Sequence, residues 1–249
     1  MGATGDTSAM ERIALALLAS TDQPIGSARL AEAFRREGIA VAEATAGRYL
    51  RQLDELGFTR TLGAKRGRII TDAGRDRLAE LRRRLRHDEY GASLLRAIAT
   101  TEIDELMDLL HVRRAVETEA ARLAARRATD AELAQIAVAS RHHVREVSAG
   151  HDTVEPSMHF HRLIAEASHN RMLIAVALLL LDSANDPLEK ALGQIALDTG
   201  ETLDQASDHL ALAEALSSRD PDSAEAAMRA HMDKLIQAVE NYRRASTRD

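Results

Sequence analysis

Apolar positions recur with a three-to-four-residue period through almost the whole chain, and only one short stretch alternates as a strand does. The pattern predicts a first helix over about 10–20, with Ile13, Leu15, Leu17 and Leu18 apolar. "TDQPIGS" breaks it, and Ser27 is positioned to cap a second helix through Leu30, Ala33 and Phe34. That helix ends at Gly38. A third helix over about 42–56 turns Ala46, Leu50 and Leu53 inward. "GFTRTL" and "GRIIT" then read as two short strands joined by "GAKR", and Thr71 caps a closing helix. Beyond Gly91 the helical period takes over. Helices are predicted near 92–99, 102–126, 129–148, 155–168, 171–195, 201–217 and 221–245, the last started by Asp220-Pro221.

The expected fold is therefore mainly α: an N-terminal winged helix-turn-helix over 1–80, a linker over 81–91, and an all-α helical bundle over 92–249. Composition adds to this. At 249 residues and 45% hydrophobic, the chain can build two modest cores. It has no cysteine, which removes disulfides and thiolate metal sites and fits a reducing, cytoplasmic setting. "IALALLAS" is too short and too soon followed by charge for a signal peptide, and "MLIAVALLLL" is too short to cross a bilayer. Residues 1–90 carry a net charge of +3 and the remainder −9, so head and body face different partners.

In the third helix Thr45, Arg48 and Gln52 fall opposite the apolar face, with Arg51 beside them. Lys65, Arg66 and Arg68 sit on the turn between the strands and beside it. "GSARLAEAFRREGIAVAEATAGRYLRQLDELGFTRTLGAKRGRIITDAGRDRL" resembles the winged helices of ribonuclease R and archaeal nitrogen regulators. The resemblance implies that the third helix enters a major groove, with Arg48 and Gln52 at base edges and the wing cations on phosphates. With aromatics at only 2%, a single-strand stacking platform is not expected. The basic run Arg82 to Arg86 reads as a linker helix.

In the body, "SMHFHRLIAEASHN" sets two histidines two residues apart. His161 joins the apolar side of Phe160, Ile164 and Ala167, while His159 points outward with Arg162 and Glu166. His209 lies among Ala206, Ala213 and Leu216; His231 lies between Met228 and Leu235. His209 is about 8 residues, roughly 12 Å, before the end of its helix, and His231 about 11 residues, roughly 16 Å, into the next. An antiparallel pair would bring them to one level. Three such imidazoles make a facial metal site or three separately satisfied core histidines. Arg113 and Glu117 interrupt the stripe of Leu106, Leu109, Leu110, Val116, Ala120 and Leu123, either as a buried ion pair or as a guanidinium held for a ligand carboxylate. Arg114 is expected in solvent. His111, His142, His143 and His151 are expected at the surface, His169 as a weaker pocket candidate, and Asn170 as a cap or helix end.

"ELMDLLHVRRAVETEAARLAARRATDAEL", "FHRLIAEASHN" and the His209–His231 interval together resemble the FCD domain, the effector-binding bundle of FadR-type regulators in the GntR family. The resemblance implies a divalent metal, zinc or nickel, on His161, His209 and His231, and a small carboxylate effector held by the metal and Arg113. The family's fourth ligand is a carboxylate; here that position is Ser157, a poor ligand, so a metal-free pocket of hydrogen-bonding histidines is the competing reading. The head also lacks the family's usual GntR winged-helix pattern. The expected function is a cytoplasmic, homodimeric DNA-binding transcription regulator, a repressor, binding double-stranded operator DNA and a small-molecule effector. The alternative is a metal-dependent helical-bundle enzyme.

Overall fold

A computed structural model of the protein describes residues 3–63, 66–99, 103–151, 154–181, 192–196 and 202–246. The chain forms two compact units, Met1–Ser93 and Leu94–Asp249. The first holds α1 (Ala3–Ala19), α2 (Ser27–Arg36), α3 (Glu43–Glu55), β1 (Thr59–Thr61), β2 (Arg68–Ile70) and most of α4 (Asp72–Ile98). The strands pair antiparallel, Thr59 with Ile70 and Thr61 with Arg68, and Ile25 adds a backbone bridge to Arg68. Leu15, Leu18, Ile25, Leu30, Phe34 and Leu50 close the core. Each such side chain removed from water contributes about 1.5–3 kcal/mol.

Local chemistry sets the boundaries. α2 starts one residue earlier than expected: its cap is Gly26, and the Ser27 hydroxyl instead donates to Glu43 Oε1 at 2.8 Å, tying α2 to α3. Gly38, at φ 81°, ends α2 in the left-handed region that glycine enters without steric cost. Thr71 Oγ1 accepts from the Gly74 amide at 3.1 Å and caps α4 as expected. Gly74 itself is required, because a Cβ there would stand 2.2 Å from the Phe58 carbonyl oxygen. α1 begins well before its predicted start, and α4 is one continuous helix through the predicted linker and the predicted 92–99 helix.

The second unit is built from α5 (Ile103–Arg127), α6 (Asp130–Ala149), α7 (Val154–Ala167), α8 (Arg171–Leu180), α9 (Thr202–Ser217) and α10 (Pro221–Ser246). Residues 192–196 are also helical; the predicted 171–195 helix thus ends its described run at Leu180, and 182–191 lie outside the described residues. α5 is the central element, packed on α10, α7, α8 and α9, while α6 packs on α7 and α9. Thr129 and Glu132 form a reciprocal capping box at the start of α6. Asn170 caps α8, accepting from Met172 and Leu173, rather than closing α7. Asp220 caps α10 through the amides of Asp222 and Ser223. Among the described residues no helix is long and apolar enough to cross a membrane.

Candidate functional site

The polar interruption of α5 is buried. Arg113 is 0% exposed, and its Nε donates to Glu117 Oε1 at 2.8 Å, one turn on. The other Glu117 oxygen, Oε2, lies 2.5 Å from His161 Nδ1. One carboxylate thus touches both a guanidinium and an imidazole. Burial alone would raise the Glu117 carboxyl; the Arg113 and His161 charges outweigh it and hold it at about 2.

α7, α9 and α10 each add one imidazole to the same place. His161, His209 and His231 are all buried, and each offers a ring nitrogen within 4.8 Å of the others. Phe160 stacks on His209 with centroids 4.3 Å apart and holds that ring flat against the core. His209 Nδ1 hydrogen-bonds His143 Nδ1 at 2.8 Å, whereas the other two Nδ1 atoms face carboxylates without hydrogen-bond alignment: Glu117 for His161, and Asp208 Oδ2 at 3.6 Å for His231. The Nε2 atoms of His209 and His231 are 3.4 Å apart. Burial pushes His209 well below its ordinary range and His231 downward, with Asp208 partly offsetting the second. Burial, reinforced by His161 and His231, takes His143 down to about 4. His143, His209 and His231 are therefore neutral at pH 7 and retain lone pairs.

Arg113, the three histidines, His143 and Ser157 line one cavity of about 40 Å³. Its donor set fits a divalent ion that prefers nitrogen. Two imidazole nitrogens bound at ~2.0–2.1 Å on a tetrahedral zinc stand about 3.3–3.4 Å apart, close to the His209–His231 spacing. Ser157, half-buried in the wall, brings only a hydroxyl.

Several expectations need correction. His143, expected at the surface, is 4% exposed and belongs to the cluster. Its signal was in the sequence: Leu133, Ile136, Ser140 and His143 follow the buried stripe of α6 at 3-4-3 spacing. The exposed neighbours Arg141 and His142 hid it. Arg114 is half-buried and bonds Asp233 Oδ1 at 2.5 Å instead of lying free in solvent. His169 is exposed and faces Glu132 across 3.1 Å, away from the cavity. His159 is exposed and His161 buried, as expected.

In the head, Arg48, Arg51 and Gln52 are exposed on α3 and Thr45 is half-buried, with Arg48 Nη2 donating to Thr45 Oγ1 at 2.9 Å. Gln52 sits on the flank of α3 that lines a groove with Tyr49, Leu56 and Phe58. Arg66 is exposed beside the wing turn, and Lys65 lies outside the described residues. Arg68 departs from its expected place on a phosphate. Its Nε bonds Asp54 Oδ2 at 2.6 Å, and Thr59 bonds the other oxygen of the same carboxylate, so Arg68 braces the wing against α3.

Comparison with known proteins agrees with this division. A family model described as the FCD domain matches residues 108–234, and one described as the ribonuclease R winged-helix domain matches residues 12–78. No curated protein is matched. Among solved structures, the chain is similar to a GntR protein of Streptococcus agalactiae, at 20% identity over 92% of this chain and 98% of that one, with a TM-score of 0.47. It is similar to E. coli McbR/YncC at 14% identity, over 97% of this chain and 99% of that one, TM-score 0.46. A GntR-family transcriptional regulator of Pseudomonas syringae pv. tomato str. DC3000 is similar at 16% identity, over 90% and 78%, TM-score 0.46. The FCD match takes in more than half of the residues, the buried Arg113 and all four clustered histidines among them: the chain belongs to the FCD-domain family.

Proposed function

We propose that this chain is a DNA-binding repressor whose bundle senses a small carboxylate with the help of a bound divalent metal, zinc or nickel. The observation that carries the reading is the shared cavity: a buried guanidinium and three imidazoles converge on it, and Glu117 joins the two halves. Arg113 supplies a planar cation for a carboxylate, and Glu117 holds the guanidinium in place. His161, His209 and His231 would hold the ion, which when bound supplies a second positive centre for the ligand. A cavity of about 40 Å³ holds roughly three waters, so the ligand would be a carboxylate of few atoms.

On the head, Thr45, Arg48, Arg51 and Gln52 would meet bases and phosphates of double-stranded operator DNA, with Arg66 on the backbone. A homodimer would set two α3 helices on a palindromic site, and effector binding would shift the population of the DNA-competent arrangement. The cytoplasm is the place of such work. An enzyme on the same histidines would need a free base beside the metal. Both carboxylates that face these rings are engaged, Glu117 by Arg113 and His161, Asp208 by Lys234.

Elemental analysis of the purified chain, followed by calorimetric titration with acetate, lactate and malonate, tests the sensor. Stoichiometric zinc or nickel, and carboxylate binding lost in Arg113→Ala, are expected. Metal-free protein that binds none of the three acids would defeat it.

A further inference from the structure

The three imidazoles of the cavity are not backed alike. Glu117 faces His161 Nδ1 and Asp208 faces His231 Nδ1. A carboxylate only accepts, and its negative charge favours a proton on the ring nitrogen that faces it, so Nδ1 is the protonated nitrogen on both rings and neutral His231 leaves Nε2 bare. His143 imposes no such choice on His209, because an imidazole Nδ1 can either donate or accept across their 2.8 Å contact.

The remaining contact decides the tautomers of the metal-free chain. His209 Nε2 faces His231 Nε2 at 3.4 Å, and the latter is bare. His209 therefore carries its proton on Nε2 and aims it at His231. Its Nδ1 must then accept from the Nδ1–H of His143. A metal on His209 Nε2 demands the opposite tautomer, with the proton on Nδ1 pointing at His143.

We infer that His143 is a positioning residue that sets the tautomer of His209, donating to it in the metal-free chain and accepting from it when a divalent ion is bound. This rests on the metal reading above. The exchange balances: His209 loses the proton on Nε2 and gains one on Nδ1, while His143 loses the proton on Nδ1 and gains one on Nε2. Both rings stay neutral. His143 thus does for His209 what a carboxylate does for each of the other two rings, but reversibly, and from α6, an element that carries none of the three ligand histidines.

Zinc alone is the probe. Imidazole nitrogen NMR of the full chain, without and with zinc, is expected to show His161 and His231 protonated on Nδ1 throughout, and His143 and His209 exchanging tautomer. In chelator competition, His143→Phe is expected to lower zinc affinity about 10–100-fold. His143→Asn, whose amide oxygen still accepts, should stay near the unaltered protein. His209 already protonated on Nδ1 before zinc, undiminished affinity in His143→Phe, or X-ray absorption showing four coordinated imidazoles would each overturn the inference alone. An unaltered chain that takes up no zinc would remove the metal reading and this inference together. The nitrogen spectra need no variant, so a His143→Phe protein that fails to fold leaves the test intact.

Discussion

The two units build their interiors from different materials. Among the described residues of the head, Thr59 is the one buried polar side chain, and the cations of α3 and the wing lie outside or on the rim. The body buries Arg113, Glu117, Thr118, Ser140, Ser168 and four histidines. Burying a guanidinium and a carboxylate is costly even when they are paired, and apolar residues of similar volume commonly serve stability as well or better. The body therefore carries a polar chamber that its own folding does not require. The head is an ordinary apolar scaffold that presents charge outward. The difference separates an interior built for cohesion from one that holds the polar groups the proposed sensor would use.

The contrast can be broken experimentally, most forcefully at Glu117. Glu117→Leu leaves Arg113 buried beside His161 without its carboxylate, at a cost of about 3–5 kcal/mol. Urea denaturation followed by hydrogen exchange should show this loss in α5, α7 and α10, with the head unmoved; equal loss in both units would erase the distinction. Acidification comes next. His143, His209 and His231 fold with proton affinities below their ordinary 6.5, so the unfolded chain binds more protons as the pH drops. Metal-free body stability is then full above about pH 6.5 and falls toward pH 4, by up to ~1.4 kcal/mol per pH unit for each histidine. A flat calorimetric profile across that window would contradict neutral burial.

In the head, the sharpest structural effect belongs to Gly74→Ala, whose methyl meets the Phe58 carbonyl and the Ile70 side chain, at about 1–3 kcal/mol or more. Hydrogen exchange in β1 and β2 reads it. Arg48→Ala should leave stability alone and cost about 1–3 kcal/mol of specific DNA binding, with a shallower salt dependence. Unchanged binding would move the contact surface off α3. Least is expected from Arg114→Ala. Its ion pair with Asp233 is a third to half exposed, and denaturation should move by less than about 1 kcal/mol.

Periodicity carried most of the architecture. The strands, the caps at Thr71 and Asp220, and the inward turn of His161, His209 and His231 all follow from spacing within one element. What spacing missed depends on contacts between elements. Asp54 is unremarkable at the end of α3 until β2 folds back and Arg68 reaches it. Ser27 reads as a cap, yet Glu43 of the next helix draws its hydroxyl away. His143 differs, since its register on α6 matches the buried stripe; polar neighbours made an inward position look solvated. The single Glu117 carboxylate shared by Arg113 and His161 needed three dimensions to appear.

The bend between α9 and α10 has a consequence for how this protein can change. Arg219, at φ 55°, donates to the Ala128 carbonyl and to Asp130, riveting the bend to the α5–α6 corner. His209 and His231 stand on the two legs of that hairpin, each roughly ten residues, or about 15 Å, from the rivet. A single residue inserted between either imidazole and the bend would swing that ring by about 100° and lift it ~1.5 Å. Point substitutions can therefore drift through these two legs over evolutionary time, whereas a one-codon insertion or deletion dismantles the chamber from a distance.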